Sequence, residues 1–272
     1  MMLDRDELDQ YARYQARAIQ RLLASRPSDW YWDPTRPDVA TFMHEAEFVD
    51  CDVIPSGSNW TYLVTLSHPK EGPGLAVYKP RDGEAPLWDF PFGTLYLREL
   101  AAYELSRLLG WDIVPPTIVR RGPNGIGSLQ LFIQADLAAN FFTLRRERPD
   151  EFRRFAVFDF LANNADRKGG HCLLDANDGR VWGIDHGLTF HQQWKLRTVI
   201  WDYRGEPIPD DLVVAVARLA QRMEESPHDF DALYACLSQA EQQAFRARVR
   251  ALLDEPCFPL PRHYRSVPWP PI

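Results

Sequence analysis

Two acidic motifs flanking a short hairpin constrain this chain most. The first is the polar run Asn163-Asn164-Ala165-Asp166-Arg167-Lys168-Gly169-Gly170-His171, and the second is Gly183-Ile184-Asp185-His186-Gly187. Between them lie two β-prone runs, residues 172–175 and 180–184, separated by the turn pair Asp178-Gly179. Such a pair closes tight turns because glycine takes positive φ without a steric penalty. A hairpin brings its ends together, so Asp166 and Asp185 are predicted to lie side by side. Adjacent carboxylates repel one another. Metal ions relieve that repulsion, and hard cations prefer oxygen ligands.

The remaining pattern predicts an α+β chain. Residues 46–54 and 60–66 read as strands joined by the small-residue turn Ser56-Gly57-Ser58-Asn59, and residues 74–80 as a third strand with Lys79 near its end. Residues 94–109 form the clearest helix of the first half. Thr94 suits the N-cap, Gly110 suits the position after the C-cap, and Leu95, Ala102, Leu105 and Leu109 share one face. Strands over 113–121 and 128–133 follow, around a turn at 122–127. The second half is more helical, with helices predicted over 151–164, 210–225 and 239–255. In the first of these, Phe152, Phe155, Phe158 and Leu161 face a core; the last opens with a capping box of Ser238 and Glu241. An amphipathic helix over 4–23 and a Pro- and Trp-rich connector precede all of this, and a Pro-rich tail over 256–272 is expected to lie extended on the surface. Trp88, Trp182 and Trp201 are expected to be packing residues.

Composition excludes several function classes. A net charge of −7 does not suit a general nucleic-acid binder or a protein that adheres to an anionic membrane. The four cysteines form no C-x-x-C pair and are read as reduced thiols of a cytoplasmic protein. The first 26 residues lack an apolar export run, and no window reaches the roughly 18 apolar residues of a membrane span. No integral membrane association is therefore expected.

The first half supplies parts that complement the two aspartates. Lys79 can reach phosphate oxygens, Glu99 can hold that lysine by an ion pair, and the turn at 56–59 offers backbone N–H groups that can cover phosphates. The backbone along Gln130, Leu131, Phe132 and Ile133 can read an adenine edge. Each signal alone is weak, since a strand-end lysine is usually solvated. Their order carries the reading: a small-residue turn, a strand lysine, a helix glutamate, a linking strand, a loop aspartate and an aspartate after a hairpin.

In that order the chain resembles the phosphatidylinositol 3/4-kinase-like superfamily, most of all the type II phosphatidylinositol 4-kinases and a bacterial group related to them. The stretches that carry the resemblance are Gly57-Ser58, Ala76-Val77-Tyr78-Lys79-Pro80, Glu99-Leu100-Ala101-Ala102-Tyr103, Val114-Pro115-Pro116, Gly127 to Phe132, Asn164-Ala165-Asp166-Arg167 and Ile184-Asp185-His186-Gly187-Leu188. Leu87-Trp88-Asp89-Phe90-Pro91, the run Asn163 to His171 and Lys195-Leu196-Arg197-Thr198-Val199 resemble the bacterial group specifically, and the tail at 268–272 is a further match. The resemblance implies a bilobal, protein-kinase-like fold. Residues 1–45 would be an N-terminal helix and connector, 46–133 an N-lobe with an antiparallel sheet and one long helix, and 134–272 a mainly helical C-lobe with its tail. It also implies ATP with Mg²⁺ or Mn²⁺, Lys79 on the phosphates, Glu99 paired with it, Asp166 as catalytic base and Asp185 on the metal. Arg167 and Lys168 are candidates to support the transferring group.

The chain departs from that pattern in three places. His171 stands where these kinases carry an asparagine as second metal ligand, and imidazole suits Mn²⁺ or Zn²⁺ more than Mg²⁺. His186 replaces the usual Phe or Asn. The cysteine-rich palmitoylation segment of the eukaryotic enzymes is absent, which leaves a protein, lipid or small-molecule hydroxyl as acceptor. The reading is an ATP-dependent phosphotransferase. Its alternatives are a nucleotide-binding pseudokinase and an AMP-transferring enzyme. A hydrolytic centre of His171, His186 and His191 with the two aspartates would leave Lys79, Glu99 and the linking strand without a task.

Overall fold

The computed structural model describes residues 14, 16–27, 29–55, 58–262 and 265–272. Of the predicted N-terminal helix, residues 16–23 are helical (α1), and the part before residue 14 lies outside the described residues. Helix α2 (Val39–Glu45), not foreseen from the sequence, leads into a five-stranded antiparallel sheet: β1 (Glu47–Val53), β2 (Tyr62–His68), β3 (Gly72–Pro80), β4 (Thr117–Gly122) and β5 (Gly125–Leu131), in the order β1-β2-β3-β5-β4. Alternation along β2, β3 and β5 sends Tyr62, Val64, Leu66, Ala76, Tyr78, Leu129 and Leu131 to one face. There Trp32, Val39, Phe42 and Met43 cover them.

The β4–β5 hairpin is tighter than expected. Gly122 pairs with Gly125, so the turn is Pro123-Asn124 alone. Strand β4 starts only at Thr117, because Pro115 and Pro116 have no N–H to give a ladder. Gly127 is required where β5 crosses β3: a Cβ there would stand 2.4 Å from the carbonyl oxygen of Lys79.

Helix α3 (Leu95–Leu108) crosses behind the sheet. Thr94 does not cap it, since its hydroxyl donates to the Pro91 carbonyl. The capping acceptor is the distant carboxylate of Glu84, 2.9 Å from the Tyr96 N–H. The apolar face of α3 (Ala101, Ala102, Leu105) joins the same core as Phe152, Phe155, Phe158 and Leu161 of α5 (Pro149–Ala162). One core thus crosses the expected boundary at 133/134, and α3 bridges the two halves.

The second half is mainly helical. A one-turn α4 (Phe141–Leu144) precedes α5; the hairpin β6 (Cys172–Leu174) and β7 (Val181–Gly183) follows it; then come α6 (Asp210–Glu225), α7 (Asp231–Ala235) and α8 (Gln239–Asp254). Ser238 and Glu241 form the capping box of α8. The fold is the α+β, bilobal, protein-kinase-like arrangement. Among the described residues no helix is long and apolar enough to cross a membrane.

The described part of the tail lies at the surface and is docked there: the Ser266 carbonyl accepts from the Thr198 N–H (3.0 Å) and the Trp201 indole (2.9 Å), and the Pro271 carbonyl accepts from the Gly169 N–H (2.7 Å). One expectation needs correction. Trp182 is buried, but Trp88 is 92% exposed, because its loop carries the ring outward against the Lys195 ammonium.

Candidate active site

Helix α5 ends at Asn163, whose φ of 50° turns the chain out of the helix. The Asn163 carboxamide holds the loop from behind, donating to the carbonyls of His191 and Gln193 and accepting from the Lys195 N–H. The Asn164 side chain donates to Asp159 and accepts from the Asp166 N–H at 3.0 Å. On its outer side the loop is laced to the segment after the hairpin: Arg197 N–H to Asn164 O, Arg167 N–H to Arg197 O and Val199 N–H to Arg167 O, each 2.9 to 3.1 Å. Gly169 permits the Phe142 ring to approach, since a Cβ there would meet it at 2.6 Å. Asp166 is therefore presented by a backbone with little freedom.

The hairpin places Asp185 beside this loop. Cys172 pairs with Gly183, and the Ile184 N–H donates to the His171 carbonyl at 3.0 Å. Asp185 takes a φ of 61°, uncommon for a residue with a Cβ. Its Oδ1 lies 2.7 Å from Lys79 Nζ, and its Oδ2 lies 3.2 Å from His171 Nε2. Lys79 Nζ is also 2.5 Å from Glu99 Oε1, and the other oxygen of Glu99 accepts the His186 N–H at 2.9 Å. One lysine thus bridges a sheet, a helix and the post-hairpin segment.

Electrostatics divides the two aspartates. Burial works against ionisation of Asp185, but Lys79 and His171 outweigh it and hold its carboxyl below the ordinary value. Asp166 is raised, first by burial and then by the negative charge of Asp185, against the pull of Lys168 and Arg197. Burial also lowers Lys79, yet the carboxylates of Asp185 and Glu99 overcome it and raise it. His171 is lowered to about 4, chiefly by burial. It is neutral where a free imidazole, near 6.5, would be titrating.

The sequence-derived candidates fall into three groups. Lys79, Glu99, Asp166, Lys168, His171 and Asp185 converge, with Lys168 Nζ 3.1 Å from Asp166 Oδ2. Along the linking strand, the Leu131 N–H is committed to Pro116 O and the Phe132 N–H to Leu75 O. Gln130 turns its side chain to Thr117. Two amides of this stretch are therefore spent on the fold. Ser58 is exposed at its turn; Ser56 and Gly57 lie outside the described residues.

Arg167 is the exception. Its side chain is wholly buried, doubly bonded to Asp159 (Nη2 to Oδ1 2.9 Å), and directed also at the carbonyls of His171 and Ile184 and at His186 Nε2. It braces the loop from inside, because a guanidinium at this depth needs a carboxylate partner, and Asp159 supplies one. The arginine in the field of Asp166 is instead Arg197, half-buried, with Nε 3.0 Å from the Ala165 carbonyl and, among the described residues, no carboxylate paired to it. The sequence signalled it only as part of Lys195-Leu196-Arg197.

The donors fit a divalent ion that shares its coordination with phosphate and water. Asp185 offers carboxylate oxygens with about half its side chain accessible, and His171 adjoins it. Among the described residues no group of three or more His, Cys, Asp or Glu side chains could hold a metal by itself. Mg²⁺ is commonly bound in this way, through one or two carboxylates and substrate phosphates. His171 Nδ1 faces the Lys168 N–H at 3.4 Å, so Nε2 carries the proton and donates to Asp185. Ligation through Nε2 requires that proton to move to Nδ1.

No family model matches the chain. Among solved structures, the Golgi casein kinase with Mn/ADP bound superposes at a TM-score of 0.49 with 13% identity, over 89% of this chain and 88% of its own. Phosphatidylinositol 4-kinase gamma 4 of Oryza sativa subsp. japonica is 31% identical over 164 residues, which spans 52% of this chain and 29% of that protein. Protein Rv2133c of Mycobacterium tuberculosis is 42% identical over 275 residues, 86% of this chain and 96% of that protein. On that identity and span the chain belongs to the family of Protein Rv2133c, a bacterial group related to the phosphatidylinositol 4-kinases.

Proposed function

We propose that this protein is an ATP-dependent phosphotransferase acting on a hydroxyl acceptor with a divalent ion, Mg²⁺ or Mn²⁺. The observation that carries the reading is the placement of Lys79 between Glu99 and Asp185, with Asp166 close enough to Asp185 to feel its charge. The similarity to a plant phosphatidylinositol 4-kinase supports it independently. Lys79 binds phosphate oxygens, Glu99 orients Lys79, and the backbone at Ile133 reads the adenine. Asp185 and His171 are the side chains that would hold the ion, which would neutralise charge on the phosphates. Asp166, with its raised carboxyl, accepts the proton of the acceptor hydroxyl, and Lys168 and Arg197 hold the transferring group.

The His171 hydrogen bond favours one rival. Asp185 has one oxygen on Lys79 and the other on His171, an arrangement that also suits a nucleotide-binding pseudokinase held in one conformation. Labelled ATP separates the readings. Transfer of the γ-label to an acceptor supports the kinase, transfer of the α-label supports AMP transfer, and binding without either supports the pseudokinase. ATP with Mg²⁺ or Mn²⁺ at a hundredfold over the dissociation constant should add about 2.7 kcal/mol of stability. A flat melting temperature at millimolar ATP with either ion refutes nucleotide binding altogether.

A further inference from the structure

Helix α3 carries two buried charged residues in succession, and the proposed chemistry uses only Glu99. Arg98 is 1% exposed, and its guanidinium works as a fork. Nη1 donates to the Thr189 carbonyl at 2.6 Å, Nη2 lies 2.5 Å from Glu241 Oε1, and the Phe90 ring covers the group at 4.9 Å. Glu241 belongs to the capping box of α8, where its second oxygen accepts from the Ser238 N–H (2.9 Å) and hydroxyl (2.8 Å). Thr189 continues the chain of contacts: its hydroxyl donates to the His186 carbonyl at 2.7 Å, and the His186 N–H donates to Glu99. The start of α8 is thereby connected, link by link, to the Lys79–Glu99 pair and to the segment behind Asp185.

We infer that the buried Arg98–Glu241 pair is a positioning latch, which pins α3 to the C-terminal helix and holds Glu99 and the Asp185 segment in register for nucleotide. Burying two charges is a poor way to gain stability, and fixing register is the best-attested use of such a pair. Residues far from each other in sequence are joined here across both halves, at the helix that bridges them. The functional consequence rests on the nucleotide-binding reading of Lys79; the mechanical claim does not.

The test uses the full chain and three readouts: melting temperature, backbone amide exchange, and affinity for a fluorescent ATP analogue with Mn²⁺. Arg98→Met with Glu241→Met replaces the pair with apolar groups of similar volume, a change that buried sites tolerate. The latch predicts a melting temperature lowered only as far as the lost capping contacts of Glu241 require, faster exchange over residues 95–99 and 184–189, and affinity about tenfold weaker, within the range of mutations along a coupling network. An unchanged exchange pattern and affinity in the folded double variant overturns the inference. Should that variant not fold, Glu241→Gln decides. A glutamine is neutral and has one acceptor oxygen where the capping box and Arg98 each need one, so in either orientation of its amide the ionic contact with Arg98 is lost. Wild-type exchange at 95–99 in that variant overturns the latch as surely. If wild type itself does not bind the analogue, the proposed function fails, and the exchange readout still judges the latch.

Discussion

Asp185 and Asp166 are neighbours with opposite surroundings. Asp185 stands on a positive φ at the end of a hairpin, with Lys79 on one oxygen and His171 on the other, and is held ionised. Asp166 sits on a loop laced by backbone bonds, is raised by burial, and faces Lys168 with Arg197 nearby. On the proposed function, the same side chain in two environments would serve two tasks, a permanent charge and a proton acceptor. The contrast extends to the cations. Lys79 is committed to two carboxylates, whereas Arg197 has none among the described residues.

The contrast can be broken most severely at the carboxylates. Asp185→Ala should abolish metal-dependent nucleotide binding, read by calorimetry, while Asp166→Ala binds normally and loses transfer by about 10²–10⁴-fold, the usual contribution of a general base. Equal loss of binding in both variants would erase the division of roles. The two arginines sharpen it next. Arg167→Met should cost about 3–5 kcal/mol in denaturant unfolding, because it strands the buried Asp159 charge. Arg197→Ala should leave stability near wild type and slow transfer about tenfold, as expected for one charged hydrogen bond. The reverse outcome would return Arg167 to the chemistry.

His171→Asn tests a smaller difference. It restores an oxygen ligand beside Asp185 and should shift metal preference from Mn²⁺ toward Mg²⁺ by a few-fold in a competition titration. An identical preference in the two proteins would mean that His171 only donates to Asp185. The smallest expected effect lies away from the site. Burial opposes ionisation of Glu241, but Arg98 and the capping contacts lower its pKa below the usual value near 4.5. A depressed carboxyl contributes stability above its unfolded pKa, and that contribution is lost as the pH falls through the folded value. The melting temperature of wild type should therefore drop more steeply below pH 4.5 than that of Glu241→Gln.

Element order was legible in the sequence because its causes are local. Helical periodicity marked α3 and α5, Asp178-Gly179 marked the hairpin, and Ser238 with Glu241 marked the start of α8. The hairpin argument also explains why Asp166 and Asp185 could be brought together on paper, since only a short chain separates them. The missed features depend on partners far along the chain. Glu84 rather than Thr94 caps α3, and the tail docks on the Gly169 loop, because the acceptors in question arrive only after folding.

What the sequence determined by itself is the set of chemical groups and their order: Lys79, Glu99, Asp166, His171 and Asp185 on a strand, a helix, two loops and a hairpin end. What only the tertiary structure decided is which charges face inward. Arg167 and Arg197 are indistinguishable as letters, yet Asp159 draws the first into the core and the second remains beside Asp166. Arg98 and Glu99 adjoin on one helix and point to different partners, one to α8 and one to Lys79. The physical reason is desolvation. A buried charge must find its counter-charge, and across 143 residues, as between Arg98 and Glu241, only the packed fold can supply it.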